Sequence, residues 1–221
     1  MTKRLLGIVK YVPQNSKVAD IGTDHGYVAK YLIDNNIASS VIASDINTGP
    51  LEIAKSNTKH LSNIELRISN GLSNYKLSDN IDTIIIAGMG GYLITEILSN
   101  NIEISSNATR LILQPQNAHN KVRKFLHEKG FKIIDETFLE DMEKYYTIIV
   151  AEKGLEIYDK ECYYEYGFHN IKEGNIFFRK FLSNEQKKFE LITKQLATEG
   201  AESDKLQQDI QIYKETIKCI Q

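Results

Sequence analysis

A glycine-containing loop near the start of the chain has the residue types to hold a cationic cofactor. It runs from an apolar strand pattern through Asp20, Gly22, Asp24 and Gly26 into an apolar segment with helical spacing. A dinucleotide-binding loop has a glycine at the position of Asp24, and a carboxylate there would repel a pyrophosphate. The sulfonium and ammonium groups of S-adenosylmethionine would not be repelled, so the loop favours that cofactor. A plain strand–helix turn, whose glycines only supply unusual backbone angles, is the alternative.

Polar residues also follow the next two strand patterns. Asp45 ends the second strand, where a carboxylate can accept hydrogen bonds from both ribose hydroxyls of a nucleoside. Asn70 and Gly71 follow the third strand, where the amide could recognise the edge of adenine and the glycine would leave room for it. A helix cap at Asp45 and an ordinary Asn-Gly turn are the structural alternatives.

A second glycine-rich segment, from Ala87 to Tyr92, follows the fourth strand pattern and contains no acid or base that could act near neutral pH. Common amino-methyltransferases have Asn-Pro-Pro-Tyr or a near relative at this place. Adenine N1 has an in-plane lone pair that is unprotonated at neutral pH, so its attack on a methyl donor needs positioning more than a general base. N1 lies on the Watson–Crick edge, so the base must be unpaired or flipped into the pocket.

These loops require an α/β domain to position them. Residues 1–159 alternate short β-branched runs with helical segments, which predicts a parallel sheet with crossover helices. The predicted strands are 18–21, 41–45, 64–69, 83–87 and 110–114, and the predicted helices are 26–35, 49–60, 91–99 and 118–129. Two further strands surround an acidic turn near residues 140–143, too close together for a helical crossover, and so predict an antiparallel hairpin.

The chain after residue 159 has a different pattern, rich in Lys, Glu and Gln, and predicts a second, helical domain over residues 160–221. Two apolar series keep a four-three spacing, the first with one polar gap at Glu185, which predicts an antiparallel coiled-coil hairpin with a turn near Gly200. The first series is Phe178, Leu182, Phe189, Ile192 and Leu196, and the second is Leu206, Ile210, Tyr213, Ile217 and Ile220.

Composition excludes several classes of protein. The 27 Lys and Arg balance 29 Asp and Glu, so any nucleic-acid binding must come from a local patch. Two cysteines without metal-ligand spacing argue against a disulfide scaffold and a structural metal site. No segment has the length of a membrane span or the pattern of a signal peptide, which predicts a cytoplasmic protein without membrane attachment.

The motifs ADIGTDHGYV, AGMGG and LQPQN, at residues 19–28, 87–91 and 113–117, together resemble those of the bacterial TrmK family. That family methylates N1 of adenine 22 in tRNA. The resemblance covers nearly the whole chain, although at the C-terminus it is one of architecture only. It implies a Rossmann-like class I methyltransferase domain at residues 1–159, S-adenosyl-L-methionine as methyl donor and tRNA as acceptor.

The motifs and the resemblance predict three groups of site residues. The catalytic group is Asp24, His25, Tyr27, Gly88, Met89 and Gly90. The cofactor-binding group is Asp20, Gly22, Thr23, Gly26, Asp45, Ile46, Asn70, Gly71 and Ala87. The substrate-binding group is Gly91, Tyr92, Gln114, Pro115, Asn117, Arg123, Arg179, Lys180, Lys187 and Lys188.

Several of these residues have an ordinary structural alternative. His25 and Tyr27 could stack on a flipped adenine, with Tyr27 favouring the cationic product, or could simply pack in the fold. Gln114 and Asn117 could read the exocyclic amine or could cap the next helix. Arg123 and the basic residues of the second domain could contact RNA or form a solvated helix surface.

Two other functions compete with tRNA methylation. A methyltransferase for a small molecule would leave the helical domain without a role, and a non-catalytic RNA-binding module would explain the missing acid or base. The sequence leaves the oligomeric state open, with a monomer favoured, since a coiled coil can close within one chain or between two.

Overall fold

The computed structural model describes residues 1–199 and 203–220. Its helices and strands alternate along the first two thirds of the chain, and helices alone follow. In chain order they are α1 (Lys3–Val9), β1 (Ser16–Ile21), α2 (Tyr27–Asp34), β2 (Ala38–Asp45), α3 (Thr48–Thr58), β3 (Ile64–Ile68), β4 (Thr83–Met89), α4 (Gly91–Asn100), α5 (Ile102–Asn107), β5 (Arg110–Pro115), α6 (His119–Glu128), β6 (Phe131–Asp141), β7 (Lys144–Lys153), α7 (Phe168–Glu173), α8 (Ile176–Glu199) and α9 (Asp204–Cys219). Short helical turns lie at Leu77–Asp79 and Tyr163–Gly167.

The strands form one seven-stranded sheet in the spatial order β3-β2-β1-β4-β5-β7-β6. Strands β1 to β5 are parallel, whereas β7 is antiparallel to both β5 and β6. The predicted Rossmann-like sheet with an antiparallel closing hairpin is therefore confirmed. The strand order reverses between β1 and β4, and the carboxyl ends of strands beside such a reversal are where open α/β folds bind ligands.

The closing hairpin turns at Met142 and Glu143, which have φ angles of 49° and 62°. Two consecutive residues in the left-handed region are what a tight two-residue hairpin requires, although glycine or asparagine usually supplies them. The turn lies where the acidic residues predicted it.

Helices cover both faces of the sheet. Along β4, Ile84 and Ile86 belong to one apolar cluster and Ile85 to the other, and all three are fully buried. A strand covered on both sides is expected to be apolar at every position, and the run of isoleucines satisfies this.

Helix α1 was not predicted. Thr2 caps its N-terminus by accepting the backbone N–H of Leu5, and Leu5, Ile8 and Val9 pack into the cluster on one face of the sheet. The three-and-four spacing of these apolar residues was the available signal.

The C-terminal helices pack on the sheet through an aromatic and aliphatic cluster. Phe138 of β6 lies 5.2 Å from Phe178 of α8, measured between ring centroids, and Leu182, Phe189 and Tyr213 belong to the same cluster. In the segment that leads to these helices, Tyr158 is buried in the core of the sheet, and Tyr163 packs against both that core and the C-terminal cluster. The domain boundary at residues 159 and 160 therefore stays a prediction.

Ile217, of the second predicted apolar series, lines the groove between α8 and α9 but is not buried there. Its side chain is 45% exposed, while Thr216 beside it is buried, because α9 packs against α7 and the helical turn at Tyr163–Gly167 as well as against α8. Phe189 and Tyr213 do meet across the two helices, with ring centroids 5.6 Å apart. A coiled-coil geometry stays a prediction, and the turn near Gly200 lies outside the described residues.

Within residues 1–199 and 203–220, no helix is both long and apolar enough to cross a bilayer. Over the same residues, no group of three or more His, Cys, Asp and Glu side chains could hold a metal ion.

Candidate active site

The first loop leaves β1 at Ile21 and enters α2 at Tyr27. The backbone N–H groups of Gly22 and Thr23 both donate to the carbonyl of Ser44 on β2, at 2.8 and 2.9 Å, which fixes the loop against the sheet. Gly22 and Gly26 have φ angles of 71° and 72°, and a Cβ at Gly26 would lie 3.0 Å from Cβ of Ala54 on α3. These glycines thus allow the turn and the close approach of two helices.

Asp20 is the acid at the base of this loop and is only 5% exposed. The hydroxyl of Thr23 donates to its carboxylate at 2.7 Å. Burial raises the pKa of the Asp20 carboxyl to about 6, against the lowering effect of that hydrogen bond. A cationic ligand in this pocket would therefore favour the ionised form of the Asp20 carboxyl.

His25 and Tyr27 stand at the outer end of the loop. Tyr27 is 45% exposed, and its ring meets the edge of the His25 ring at a centroid distance of 5.8 Å. His25 Nε2 lies 3.3 Å from the exposed carboxylate of Asp24. Its Nδ1 is buried without a hydrogen-bond partner in the described part of the chain.

Polar and apolar groups at the ends of β2 and β3 form the next part of the site. Asp45 is partly exposed, and its Oδ1 accepts the backbone N–H of Asn47 at 2.8 Å. Ile46 beside it and Ile68 at the end of β3 are 60% and 53% exposed. A carboxylate next to exposed apolar side chains suits a nucleoside, whose ribose is polar and whose base is flat and apolar.

Asn70 is exposed, whereas Gly71 is buried. A Cβ at Gly71 would lie 2.8 Å from side-chain atoms of Ile97 on α4. The prediction that this glycine makes room for adenine is therefore wrong, because the glycine is needed for packing against α4.

The second glycine-rich segment is held by polar side chains that follow β5. Gln114 Oε1 accepts the backbone N–H of Gly88 at 3.2 Å, and Asn117 Oδ1 accepts that of Gly91 at 3.1 Å. A Cβ at Gly91 would lie 2.6 Å from the carbonyl oxygen of Asn117. Tyr92, at the start of α4, is 66% exposed.

The two predicted substrate-binding residues at the end of β5 are buried. Gln114 is 1% exposed, and its Nε2 donates to the carbonyl of Pro115 while its Oε1 is shared by two donors, so its amide is occupied within the protein. Pro115 is buried as well. Neither residue can read the exocyclic amine of a base in this arrangement.

A pocket of about 270 Å³ lies between these loops, at the carboxyl ends of β1 and β4. Of the predicted site residues it is lined by Asp20, Gly22, Asp24, Tyr27, Ala87 and Gly88. A larger groove of about 760 Å³ lies between α8 and α9 and contains none of the predicted site residues. We assign the site to the smaller pocket, because it combines buried charge with glycine loops at the strand ends.

The pocket also includes residues that the sequence analysis missed. Arg4 and Leu5 of α1 and Gln116 after β5 contribute to its walls. Gln116 lies within the LQPQN motif, next to residues that were predicted. The sequence analysis did not predict α1, and so it did not place these residues at the ends of β1 and β4.

Arg123 is the clearest error among the predicted substrate-binding residues. It is 1% exposed, and its Nε donates to Glu136 Oε1 of β6 at 2.7 Å. Its Nη1 donates to the carbonyls of Tyr164 and Glu165, at 2.7 and 2.9 Å. Arg123 therefore joins the sheet to the C-terminal helices and cannot contact RNA. Gly167 belongs to the same arrangement, since a Cβ there would overlap the carboxylate of Glu136.

The basic residues of α8 remain at the surface. Arg179 donates to the carbonyl of Gly174 at 2.6 Å, and Lys180 pairs with Glu140 at 3.0 Å. Lys188 pairs with Glu185 at 3.3 Å, and Lys187 is exposed.

Comparison with known proteins identifies the family of the chain. Residues 18–218 match the family model described as TrmK: tRNA (adenine(22)-N(1))-methyltransferase. The chain is 37% identical over 168 residues to the tRNA (adenine(22)-N(1))-methyltransferase of Bacillus subtilis (strain 168), covering 75% of this chain and 68% of that protein.

Solved structures show the same fold over the whole chain. A Streptococcus pneumoniae protein crystallised in complex with S-adenosyl-L-methionine is 32% identical, with a TM-score of 0.87 and coverage of 98% of this chain and 99% of that one. M. capricolum TrmK in complex with S-adenosyl-homocysteine is 27% identical, with a TM-score of 0.88 and coverage of 100% and 99%. The chain therefore belongs to the TrmK family of tRNA (adenine(22)-N(1))-methyltransferases.

Proposed function

We propose that this protein transfers the methyl group of S-adenosylmethionine to N1 of adenine 22 in tRNA. The observation that carries the proposal is the pocket between the Asp20 loop and the Gly88 segment, in a chain whose residues 18–218 match this family. The proposed reaction is direct in-line attack by the adenine N1 lone pair.

The residues at the strand ends fit the cofactor. Asp45 is suited to accept hydrogen bonds from ribose hydroxyls, and the exposed Ile46 offers an apolar surface to the adenine of the cofactor. When bound, S-adenosylmethionine supplies an electrophilic methyl group on a sulfonium. The buried carboxylate of Asp20 lies in the same pocket, where it favours a cation.

The proposed chemistry needs orientation and charge stabilisation rather than proton removal. Tyr27 stacks on the flipped adenine and holds N1 in line, with the edge contact from His25 fixing the tyrosine ring. The base becomes a cation on methylation, and the face of Tyr27 and the carboxylate of Asp24 both favour that charge. Gly88, Met89 and Gly90 leave space for the base beside the strand end.

Site-specific methylation of a tRNA transcript tests the proposed function. The transcript is incubated with protein and S-adenosylmethionine, and primer extension locates N1-methyladenine because the methyl group blocks base pairing. We expect extension to stop one nucleotide before position 22, and no such stop with a transcript carrying A22→G. Methylation at another position, or turnover of small amines without tRNA, would contradict the proposal.

Cofactor affinity is expected to depend on pH through Asp20. Below a pKa of about 6 the carboxyl is protonated and no longer attracts a cation, so S-adenosylmethionine affinity at pH 5 should be about tenfold weaker than at pH 7.5. The stability of the unliganded protein depends on pH in the opposite direction to the cofactor affinity. Its stability is highest with Asp20 protonated and falls as pH rises through about 6, because the unfolded chain releases this proton at lower pH.

Calorimetric titration across this pH range measures the effect. Asp20→Asn should bind more weakly at neutral pH and show a flatter pH profile, and its unfolding temperature at pH 7.5 should rise. An Asp20→Asn variant with the full pH dependence of the parent protein would remove Asp20 from the cofactor site.

The exposed lysines of α8 are proposed to contact tRNA. Reversing both charges in Lys187→Glu/Lys188→Glu should raise the Kd for tRNA. The slope of log Kd against the logarithm of the salt concentration should fall by about one to two. The affinity for S-adenosyl-homocysteine should not change. A Lys129→Glu/Lys153→Glu variant makes the same change in net charge elsewhere on the protein, and equal tRNA binding by the two variants would exclude a local contact at α8.

A further inference from the structure

The fold brings the two cysteines of the chain together in the C-terminal region. Cys162 is fully buried and directly precedes the helical turn at Tyr163–Gly167, against which α9 packs. Cys219 is the last residue of α9 and is partly exposed. Cys162 belongs to the apolar cluster that joins the C-terminal helices to the sheet, and Cys219 packs against the same cluster. Both thiols are free, so the site holds two reduced sulfurs from distant parts of the chain.

Cys219 has a cationic neighbour. Lys160 Nζ donates to Cys219 Sγ at 3.4 Å and lies 5.4 Å from the centre of the Tyr163 ring, which fixes it from two sides. The hydrogen bond to Cys219 is the main cause that raises the pKa of Lys160, so this amine stays charged. An ammonium beside a sulfur stabilises the thiolate, the reactive form of cysteine. Its full charge offsets the carbonyl end of α9, which disfavours negative charge at the last residue of the helix.

Cys162 has a different environment. Burial raises the pKa of its thiol well above the usual range, and the nearby Glu215 and Cys219 raise it further. This thiol is therefore protonated at neutral pH and does not react with solutes by itself. Glu215 is one turn before Cys219 on α9, and its carboxylate is placed to accept the proton of the Cys162 thiol. The site thus combines a partly exposed sulfur beside a cation with a buried sulfur beside a carboxylate.

We propose that Cys219 is a site of modification by hydroperoxides and that Cys162 converts the modified residue to an intramolecular disulfide. In the first step the Cys219 thiolate attacks one oxygen of hydrogen peroxide. The O–O bond breaks, and a sulfenic acid and a hydroxide ion form. The hydroxide ion then takes a proton from the solvent and becomes water.

In the second step the sulfur of Cys162 attacks the sulfur of the sulfenic acid. The S–S bond forms and the S–O bond breaks. The proton of the Cys162 thiol passes through Glu215 to the leaving hydroxide, which departs as water. The two sulfurs lose two electrons in total, and the peroxide is reduced to two molecules of water.

A disulfide between residues 162 and 219 closes a loop that contains α7, α8 and α9. Such a link restricts the unfolded chain, so the oxidised protein should unfold at a higher temperature than the reduced protein. The carbonyls of residues 164 and 165, which accept hydrogen bonds from Arg123, lie within this loop. The inference is independent of the proposed function, because these cysteines do not line the pocket at the strand ends.

Peroxide treatment of the reduced protein, followed by peptide mapping without reductant, tests the proposal. We expect the chain to lose two hydrogen atoms and the peptides containing residues 162 and 219 to become joined. Dithiothreitol should separate them and return the unfolding temperature to that of the reduced protein. Sulfinic acid at Cys219 without a joined peptide would overturn the proposal, and so would disulfides that form only between two copies.

Single-cysteine variants distinguish the attacking sulfur from the resolving one. Cys162→Ala should accumulate a sulfenic acid at Cys219, which dimedone traps, whereas Cys219→Ala should give little trapped product. Oxidation of Cys162 in Cys219→Ala at the rate of the parent protein would overturn the assigned order. Circular dichroism verifies that the variants are folded, and the peptide map of the parent protein tests the disulfide without any substitution.

The role of Lys160 is tested by the rate at which iodoacetamide, an uncharged electrophile, alkylates Cys219 at pH 7. Lys160→Gln should lower this rate by about threefold or more, because the thiolate loses its cationic neighbour. Lys218→Gln is the matched control, since it removes an exposed charge from the residue adjacent to Cys219 and should react close to the parent rate. Equal rates for the two variants would overturn the assignment of Cys219 as a thiol activated by Lys160.

Discussion

Arg123→Ala is expected to lower the free energy of unfolding by about 3–5 kcal/mol. The substitution removes one member of a fully buried ion pair and leaves the carboxylate of Glu136 without its charged partner. It also leaves the carbonyls of Tyr164 and Glu165 without the donor that Nη1 supplies. Urea unfolding followed by circular dichroism measures the loss.

Lys124→Ala is the matched control, because Lys124 is adjacent on α6 and pairs with Glu161 at the surface. Exposed pairs of this kind contribute at most about 1 kcal/mol, so this variant should unfold close to the parent protein. If the two variants lost similar amounts of stability, the buried network around Arg123 would not hold the C-terminal helices to the sheet.

Tyr27→Ala is expected to lower kcat/KM for tRNA methylation by about 5- to 150-fold, which corresponds to about 1–3 kcal/mol of lost stacking. The affinity for S-adenosyl-homocysteine should stay near that of the parent protein, since the ring is proposed to contact the acceptor base and not the cofactor. Single-turnover methylation of a tRNA transcript and calorimetry measure the two quantities on the same preparation.

Tyr27→Phe decides which part of the side chain matters. It keeps the ring and should retain most of the activity. A phenylalanine variant as inactive as the alanine variant would assign the role to the phenol hydroxyl. Full activity in both variants would make Tyr27 a packing residue, and the acceptor site would then be sought at Tyr92 and Asn117.

The strands and the two glycine loops could be predicted because their signals are local. A strand buried on both faces must be apolar along its length, so the apolar run at residues 83–87 predicts a strand at the centre of the sheet. Likewise, a turn with left-handed backbone angles needs glycines at fixed positions, and Gly22 and Gly26 provide them. The place of these loops at one edge of the sheet then follows from the parallel arrangement.

The roles of Arg123, Gln114 and Arg4 could not be predicted in the same way. Charged and amide side chains are usually exposed, so a basic residue on a helix was interpreted as a surface contact. Their partners are Glu136 for Arg123, Gly88 for Gln114, and Gln114 itself for Arg4, all distant in the sequence. Tertiary contacts decide whether such a side chain binds a ligand or the protein itself, and the periodicity of the sequence does not predict these contacts.

The buried pair of Arg123 and Glu136 also constrains the order of events during protein synthesis. Both members belong to the sheet and its helices, but Nη1 of Arg123 donates to the carbonyls at residues 164 and 165, which follow β7 in the chain. A nascent chain that has left the ribosome only as far as β7 would hold a charged pair in an incomplete interior, open to water and to chaperones. We therefore expect the sheet to reach its final packing late in translation, when the segment around Gly167 emerges and closes over it.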